Sequence, residues 1–293
     1  MHSAASIASP VERAANVAYC DGGLCNRLNA LIFALILRHQ FGRDWQIAWP
    51  VNNWCGAAFE ALFSIDLPVT THPLPYFGQF QAEYYFLMHE NQCGFRGDRV
   101  IDNHSLGSMS AYQSALALDR PILYYNNLLP PFVDLAMLGA GLSQLRVNER
   151  IAALAHAFCD ERNIDERVIG LHIRKTDFGG SVDDDALHRA VSSDSRRFFV
   201  CSDDESVNRR FAALPNCCVF EKRHFPGKLV AKNDWNASTR DSAGRVFPYN
   251  ITRPGESIVE ALIDLLILSR TTPARTSQST FLGMALIFKA VNY

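Results

Sequence analysis

The sequence lacks an excess of charge of either sign, paired cysteines and long apolar runs, and each shortage removes a class of protein. Acidic and basic residues almost cancel, leaving a formal net charge of -2. No broad positive surface is therefore expected for nucleic acid, and any anion site must be built locally. The eight cysteines contain no Cys-x-x-Cys pair, and only Cys217 and Cys218 are adjacent. Several sit in apolar, strand-like runs, where cysteine acts as a small buried hydrophobe, so the chain reads as reduced and cytoplasmic. The longest apolar run, Ala30 to Leu37, is far shorter than the roughly 20 residues of a membrane span. Residues 1–13 have no apolar core of the kind a secretory signal needs and read as a loose leader.

Several catalytic signatures are missing as well. The sequence has no His-Glu-x-x-His, no Gly-x-Ser-x-Gly elbow and no Gly-x4-Gly-Lys-Ser/Thr loop. Their absence argues against zinc proteases, elbow-type serine hydrolases, and P-loop kinases or sulfotransferases. What is present is core material. With 293 residues, 48% hydrophobic and 20% charged, the chain can fill two domains or one large one.

The most informative stretch runs from Val168 to Asp177. Val168 to Ile173 is an apolar run of strand length, and it ends abruptly in His172, Arg174, Lys175 and Asp177 before a glycine pair. Charge at the carboxyl end of a buried strand, next to a turn, is where open α/β sheets bind ligands. His172 and Arg174 are two residues apart, so an extended chain points them to the same side. The Arg174 fork of donors suits a phosphate.

A second ligand-type turn lies near the start. A strand over Asn16–Cys20 leads into Asp21, Gly22 and Gly23, and a densely apolar helix runs to about Phe41. This geometry lets a ligand approach free backbone N–H groups at a helix start. Arg27 in the first turn opposes the helix dipole, a local conflict that favours function over structure. Further strands are expected at Trp45–Trp49 and Ile122–Tyr125, with a short helix at Ala57–Phe63. From Pro68 to Gly107 periodicity is lost amid Tyr76, Phe77, Phe80, Tyr84, Tyr85 and Phe86, a domain edge or a carbohydrate-stacking surface. The Gly139–Gly141 region reads as a linker or broken helix.

After a helix from Val147 to Cys159 the alternation is regular. Strands at 168–173, 197–201 and 217–220 alternate with helices at 184–191 and 204–214. Helices at 257–268 and 280–290 follow a polar excursion. Such alternation implies parallel, right-handed βαβ units. Asp183, Asp184 and Asp185 invite a metal reading but open a helix, where acidic residues suit the dipole. Ser277, Ser279 and Thr280 also open a helix. One hydroxyl suffices for a cap, so three suggest a phosphate site.

Together the segments Gly22 to Leu28, His172 to Asp177 and Ser277 to Phe281 resemble three elements of one fucosyltransferase superfamily. It contains the nodulation-type and α1,6-fucosyltransferases and the protein O-fucosyltransferases. The middle segment is the most specific, being similar to the family's His-x-Arg-Arg-x-Asp. Lys175 stands where that pattern has its second Arg, and Cys25 where a small residue is usual. The resemblance implies a GT-B-like α/β architecture of two facing Rossmann-like domains with parallel sheets. Residues 1–145 would form the acceptor side and 146–293 the nucleotide-sugar side.

It further implies an inverting transferase that moves fucose, or a related sugar, from a GDP-sugar to a hydroxyl on a glycan or protein. No metal and no cofactor beyond the donor substrate is implied. Arg174 would stabilise the leaving diphosphate, and Asp21 is the candidate base. Gly22, Gly23, Asn26, His172, Lys175, Asp177, Ser277, Ser279, Thr280 and Phe281 complete the expected donor site, with Asp177 orienting Arg174. An acidic residue before the last helices would read guanine, and Asp241 and Glu256 are the candidates. The rival readings are a metal-dependent GT-A-type transferase using Asp183 to Asp185, and a non-catalytic nucleotide- or sugar-binding protein on the same fold.

Overall fold

The computed structural model describes residues 15–80, 82–88, 99–176, 183–240, 246–274 and 279–293. The expected leader, Asp177, Asp241 and Ser277 lie outside them. The first half builds β1 (Asn16–Tyr19), α1 (Leu24–Phe41), β2 (Trp45–Ala48), α2 (Phe59–Leu62), β3 (Phe63–Ile65), β4 (Val69–Thr70) and α3 (Leu74–Gly78). It continues through β5 (Tyr85–Met88), β6 (Val100–Asp102), α4 (Met109–Leu116), β7 (Ile122–Tyr124), α5 (Leu135–Leu142) and β8 (Leu145–Val147). The second half contains α6 (Glu149–Arg162), β9 (Ile169–Ile173), α7 (Asp184–Ser193), β10 (Phe198–Ser202), α8 (Glu205–Ala212) and β11 (Cys217–Cys218). β12 (Thr239–Arg240), β13 (Val246–Phe247), α9 (Gly255–Arg270), β14 (Thr272–Pro273) and α10 (Thr280–Ala290) complete it.

Two parallel sheets organise these elements. The first has the order β4-β2-β1-β7-β5-β6 and the second β11-β10-β9-β14. β1 is buried along its whole length, as parallel strands covered on both faces must be. The turn after it needs Gly22, whose φ of 84° is closed to most side chains. α1 is then buried from Leu24 to Leu37 save for Asn26, which is only partly so. It ends on Gly42 at φ 60°, with the left-handed cap donating its N–H to Arg38 O.

The two halves join closely. α10 packs on both α9 and α1, so the last helix ties the second sheet to the first. The loop after β2 is bonded to the start of α9, with Gly56 N donating to Arg253 O at 2.9 Å and Arg253 N to Asn53 O at 3.0 Å. A Cβ on Gly56 would lie 2.6 Å from Arg253 O, so only glycine fits there.

Some expectations are corrected. The Gly139–Gly141 region is an intact helix, α5, capped by Asp134 accepting from Met137 N at 2.8 Å. Its glycines let it press on α1, because a Cβ on Gly141 would sit 3.0 Å from Ile32 O. The helix expected at 57–63 stops at Leu62 because Phe63 is drawn into an antiparallel pair with Val147. Of the aromatics of 76–86, Phe77, Tyr84 and Phe86 are buried with Tyr19 and Leu123 in one apolar cluster, and the partly buried Tyr76 and Phe80 pack against it.

Candidate active site

β9 carries His172, buried to 7% exposure, and then Arg174 to the edge of a cavity of about 540 Å³. The chain just beyond is fixed by Asp203, which follows β10. Its carboxylate accepts from Lys175 N at 2.7 Å, from Thr176 N at 3.4 Å and from the Thr176 hydroxyl. Lys175 does not join the site. Its ammonium pairs with Asp184 at 2.5 Å and is absent from the cavity wall. Alternation along the chain turns it away from the side that His172 and Arg174 share.

α10 closes the site from the other end of the second half. Ser279 caps it, accepting from Leu282 N at 3.2 Å, and the same hydroxyl lies 3.1 Å from His172 Nδ1. Phe281 stacks on the imidazole with centroids 4.5 Å apart and planes at 19°. Burial above all, then Arg174 and Lys222, pushes His172 down to about 3. Without an anion beside it the ring is therefore held neutral. Ser279, Thr280 and Phe281 all line the cavity.

The first sheet contributes the opposing turn. Asp21, Gly22, Gly23, Cys25 and Asn26 line the cavity, and the first turn of α1 has neither a side-chain cap nor an acidic residue. Such a helix start favours an anion. Burial raises the Cys25 thiol, which keeps it protonated. Arg27 corrects an expectation, because it is a structural pin and not a ligand-facing group. It is fully buried and donates to Gly22 O at 2.8 Å, Pro50 O at 2.7 Å and Asn52 Oδ1 at 3.0 Å. Those bonds discharge the conflict with the dipole by tying the turn to the loop after β2. Asn52 in turn donates to Asp21 Oδ1 at 2.8 Å.

One wall is a face of α9 formed by Ser257, Ile258, Ala261 and Asp264, spaced as helix neighbours. Asp264 pairs with Lys222 at 2.7 Å, and both side chains are almost wholly buried. Lys222 also donates to Ser202 O, while Asp264 Oδ1 has no hydrogen-bond partner among the described residues. Burial lifts the Asp264 carboxyl to about 6 although Lys222 pulls the other way. Glu256, by contrast, is exposed and lies off the cavity. Asp264 thus escaped the sequence reading, although a lone acid in the run Leu262 to Leu268 was a visible signal.

Each member of the acidic run at 183–185 has a partner, although Asp184 Oδ1 is buried without a hydrogen bond among the described residues. Asp183 caps α7, accepting from Asp185 N and Ala186 N at 3.0 Å each. Asp184 holds Lys175, and Asp185 pairs with Arg210 at 2.6 Å. Among the described residues, no helix is long and apolar enough to cross a membrane.

A crystal structure of NodZ α-1,6-fucosyltransferase co-crystallised with GDP aligns over 92% of this chain and 90% of that one, with 18% identity and a TM-score of 0.55. NodZ from Bradyrhizobium aligns over the same shares at 0.56. The chain shares the NodZ fold. It is GT-B-like α/β, with two facing Rossmann-like units built on parallel sheets. NodZ soaked with GDP-fucose aligns over 93% of this chain at 0.52. POFUT1 in complex with GDP, at 0.46 and 13% identity, is too distant a match to argue from. No protein-family model matches the sequence, and no curated protein does. In the GT-B-like frame the cavity is the cleft between the units. It takes the glycine turn from one unit, and the end of β9 and the start of α10 from the other.

Proposed function

We propose that this protein is an inverting, metal-independent glycosyltransferase that moves fucose, or a closely related sugar, from GDP to an acceptor hydroxyl. The observation that carries the reading is the convergence in one cleft of Arg174, the capped start of α10 and the half-satisfied carboxylate of Asp264. The NodZ structures with GDP and GDP-fucose support it through the shared fold.

In the proposed reaction an acceptor oxygen forms a bond to the anomeric carbon as the bond from that carbon to the diphosphate breaks. GDP leaves with the electron pair, and the hydroxyl proton passes to a base, for which Asp21 is our candidate. Charge grows on the departing diphosphate, and fixed donors that meet it there lower the barrier. Arg174 supplies the cation. Ser279 and Thr280, with the N–H groups that open α10, supply further donors, and His172 braces Ser279. Asp177 and Ser277 keep their proposed donor-side roles. Lys175, held by Asp184, supports the strand end and not the phosphate. Gly22, Gly23 and Asn26 meet the donor from the other side.

The α9 face fits a flat base between Ile258, Ala261 and Pro226, all in the cavity wall. Asp264 Oδ1 is the acceptor a guanine edge needs, so Asp264 takes the role first sought at Asp241 or Glu256. The same proposal divides the chain near residue 145 into an acceptor side and a nucleotide side. It places the protein, whose seven cysteines among the described residues are free, in the cytoplasm. Calorimetric titration with GDP, UDP and CMP, with and without EDTA, tests it. GDP should bind best and without metal. Tighter binding of UDP, or an absolute need for Mn²⁺, would overturn it.

A further inference from the structure

Only one face of α9 looks into the cleft. Ser257, Ala261 and Asp264 line it, and the helical period turns Leu266 and Arg270 to the opposite side. There they meet Ala152, Ala155, His156 and Cys159 of α6, spaced i, i+3, i+4 and i+7 along one face. With Val147 of β8 and Tyr293 after α10 they enclose a groove of about 260 Å³ that shares no residue with the cleft. Val147, Ala152, Leu266 and Tyr293 are half-buried, so part of an apolar floor is left to water. Tyr293 is fixed as wall, because its hydroxyl donates to Leu145 O at 3.0 Å. Cys159 adds no charge, since burial above all, against the pull of Arg270, holds its thiol up at about 11.

The charge in this wall is of one sign. Arg146 and Arg270 are exposed, and among the described residues no acid lines the groove. Neither arginine takes part in an ion pair there. Arg270 Nη2 lies 3.0 Å from His156 Nε2. A guanidinium can only donate, so the imidazole accepts and takes up none of its charge. Arg270 stands in the last turn of α9, where a cation suits the dipole, but that helix end offsets only roughly half an elementary charge. Arg146 lies on a strand and lacks even that. A wider cavity adjoins across Arg270 and Tyr293, and its acids do not balance either arginine: Asp165 is held by Arg167, and Glu166 is exposed. An apolar floor beside a guanidinium suits a ligand that buries a hydrocarbon chain and presents an anion to the fork.

The geometry points to a binding site for a single-chain anionic amphiphile, its alkyl chain on the floor between α6 and α9 and its carboxylate or phosphate head on Arg270. At about 260 Å³ the groove falls just below the roughly 300–1,000 Å³ usual for small-molecule sites, which fits one short chain. Recessed between two helices, it takes a free chain and not the plane of a membrane. The site does not depend on the donor reading above.

The test is calorimetry on the full chain with octanoate and with octyl phosphate, each below its micelle concentration, with GDP saturating so that the cleft is filled. At least one should bind at one molecule per chain, and at least tenfold tighter than acetate, inorganic phosphate or 1-octanol, which supply a head or a chain alone. Arg270→Gln, which can still donate to His156, should weaken that binding at least tenfold, whereas Arg270→Lys should retain most of it. Ala152→Leu should fill the groove and abolish binding while the affinity for GDP stays within twofold, and it decides the matter if the Arg270 variants do not fold. Absence of binding by both amphiphiles overturns the proposal, as does equal affinity in Ala152→Leu and the parent. Binding only to phosphatidylcholine vesicles that contain phosphatidylglycerol, lost in Arg270→Gln, overturns it too and makes this face a membrane contact. Failure of GDP to bind would strike the donor reading alone, because the amphiphiles are also titrated without nucleotide.

Discussion

Lys222 and Asp264 form an ion pair 2.7 Å long in which the side chains are 6% and 3% exposed. Such a pair costs much desolvation, so its net worth is small, but breaking it strands a buried charge. Asp264→Ala should therefore destabilise the protein by about 3–5 kcal/mol. The double variant Lys222→Met/Asp264→Leu should recover most of that and still fail to prefer GDP over UDP. Denaturant unfolding and nucleotide titration read the two effects apart. A double variant that keeps guanine preference would remove Asp264 from base recognition.

The same carboxylate makes GDP binding sensitive to pH. Burial holds free Asp264 at about 6, and a guanine N–H donor stabilises the ionised form. Its pKa should then fall on binding, so protons are released near pH 6 and affinity declines as pH drops through that value. Calorimetry at pH 6 in two buffers of different ionisation enthalpy should show net proton release, absent in Asp264→Asn. Proton uptake, or none, would contradict the assignment.

Arg174 sits at the carboxyl end of β9, beside a chain segment clamped by Asp203. If it meets charge that grows on the diphosphate, its loss should lower turnover more than ground-state donor binding. Arg174→Ala should reduce kcat by about a hundred- to thousandfold, or roughly 3–4 kcal/mol. Arg174→Lys should recover little, because an ammonium cannot span two oxygens. Near-normal turnover of folded Arg174→Ala with both substrates saturating would refute the role.

Arg27 should behave in the opposite way. Its removal leaves Gly22 O and Pro50 O without their buried donor, at roughly 1–3 kcal/mol for each unmet group, while Asn52 Oδ1 keeps its bond from Trp54 N. Arg27→Met should lower the unfolding midpoint strongly, and Arg27→Lys should rescue only part, since one ammonium replaces a three-way fork. Unchanged stability in Arg27→Met would mean that the turn after β1 holds itself.

Much of the site was legible in the sequence because its signals are local. A positive-φ turn requires a residue such as Gly22, a strand's alternation puts His172 and Arg174 on one side, and a hydroxyl before a helix is a cap, as Ser279 is. The extent of α10, Thr280–Ala290, follows from the same cap and from the apolar run behind it. These rules need only neighbours within a turn or two, so they act before any tertiary contact forms.

The tertiary structure decided which of these groups meet. Arg27 turned inward and Lys175 outward because buried carbonyls on one side and Asp184 on the other offered their charges better partners than a cleft would. Asp264 became part of the candidate site because a face of α9 packs beside β9 and β10, where Lys222, more than 40 residues away in sequence, neutralises it. Trp54 reached the cleft because Gly56 and Arg253 join two distant loops backbone to backbone. Periodicity and caps specify elements from within a few residues, whereas the direction of a buried charge depends on partners that only the packing of two sheets brings within 3 Å.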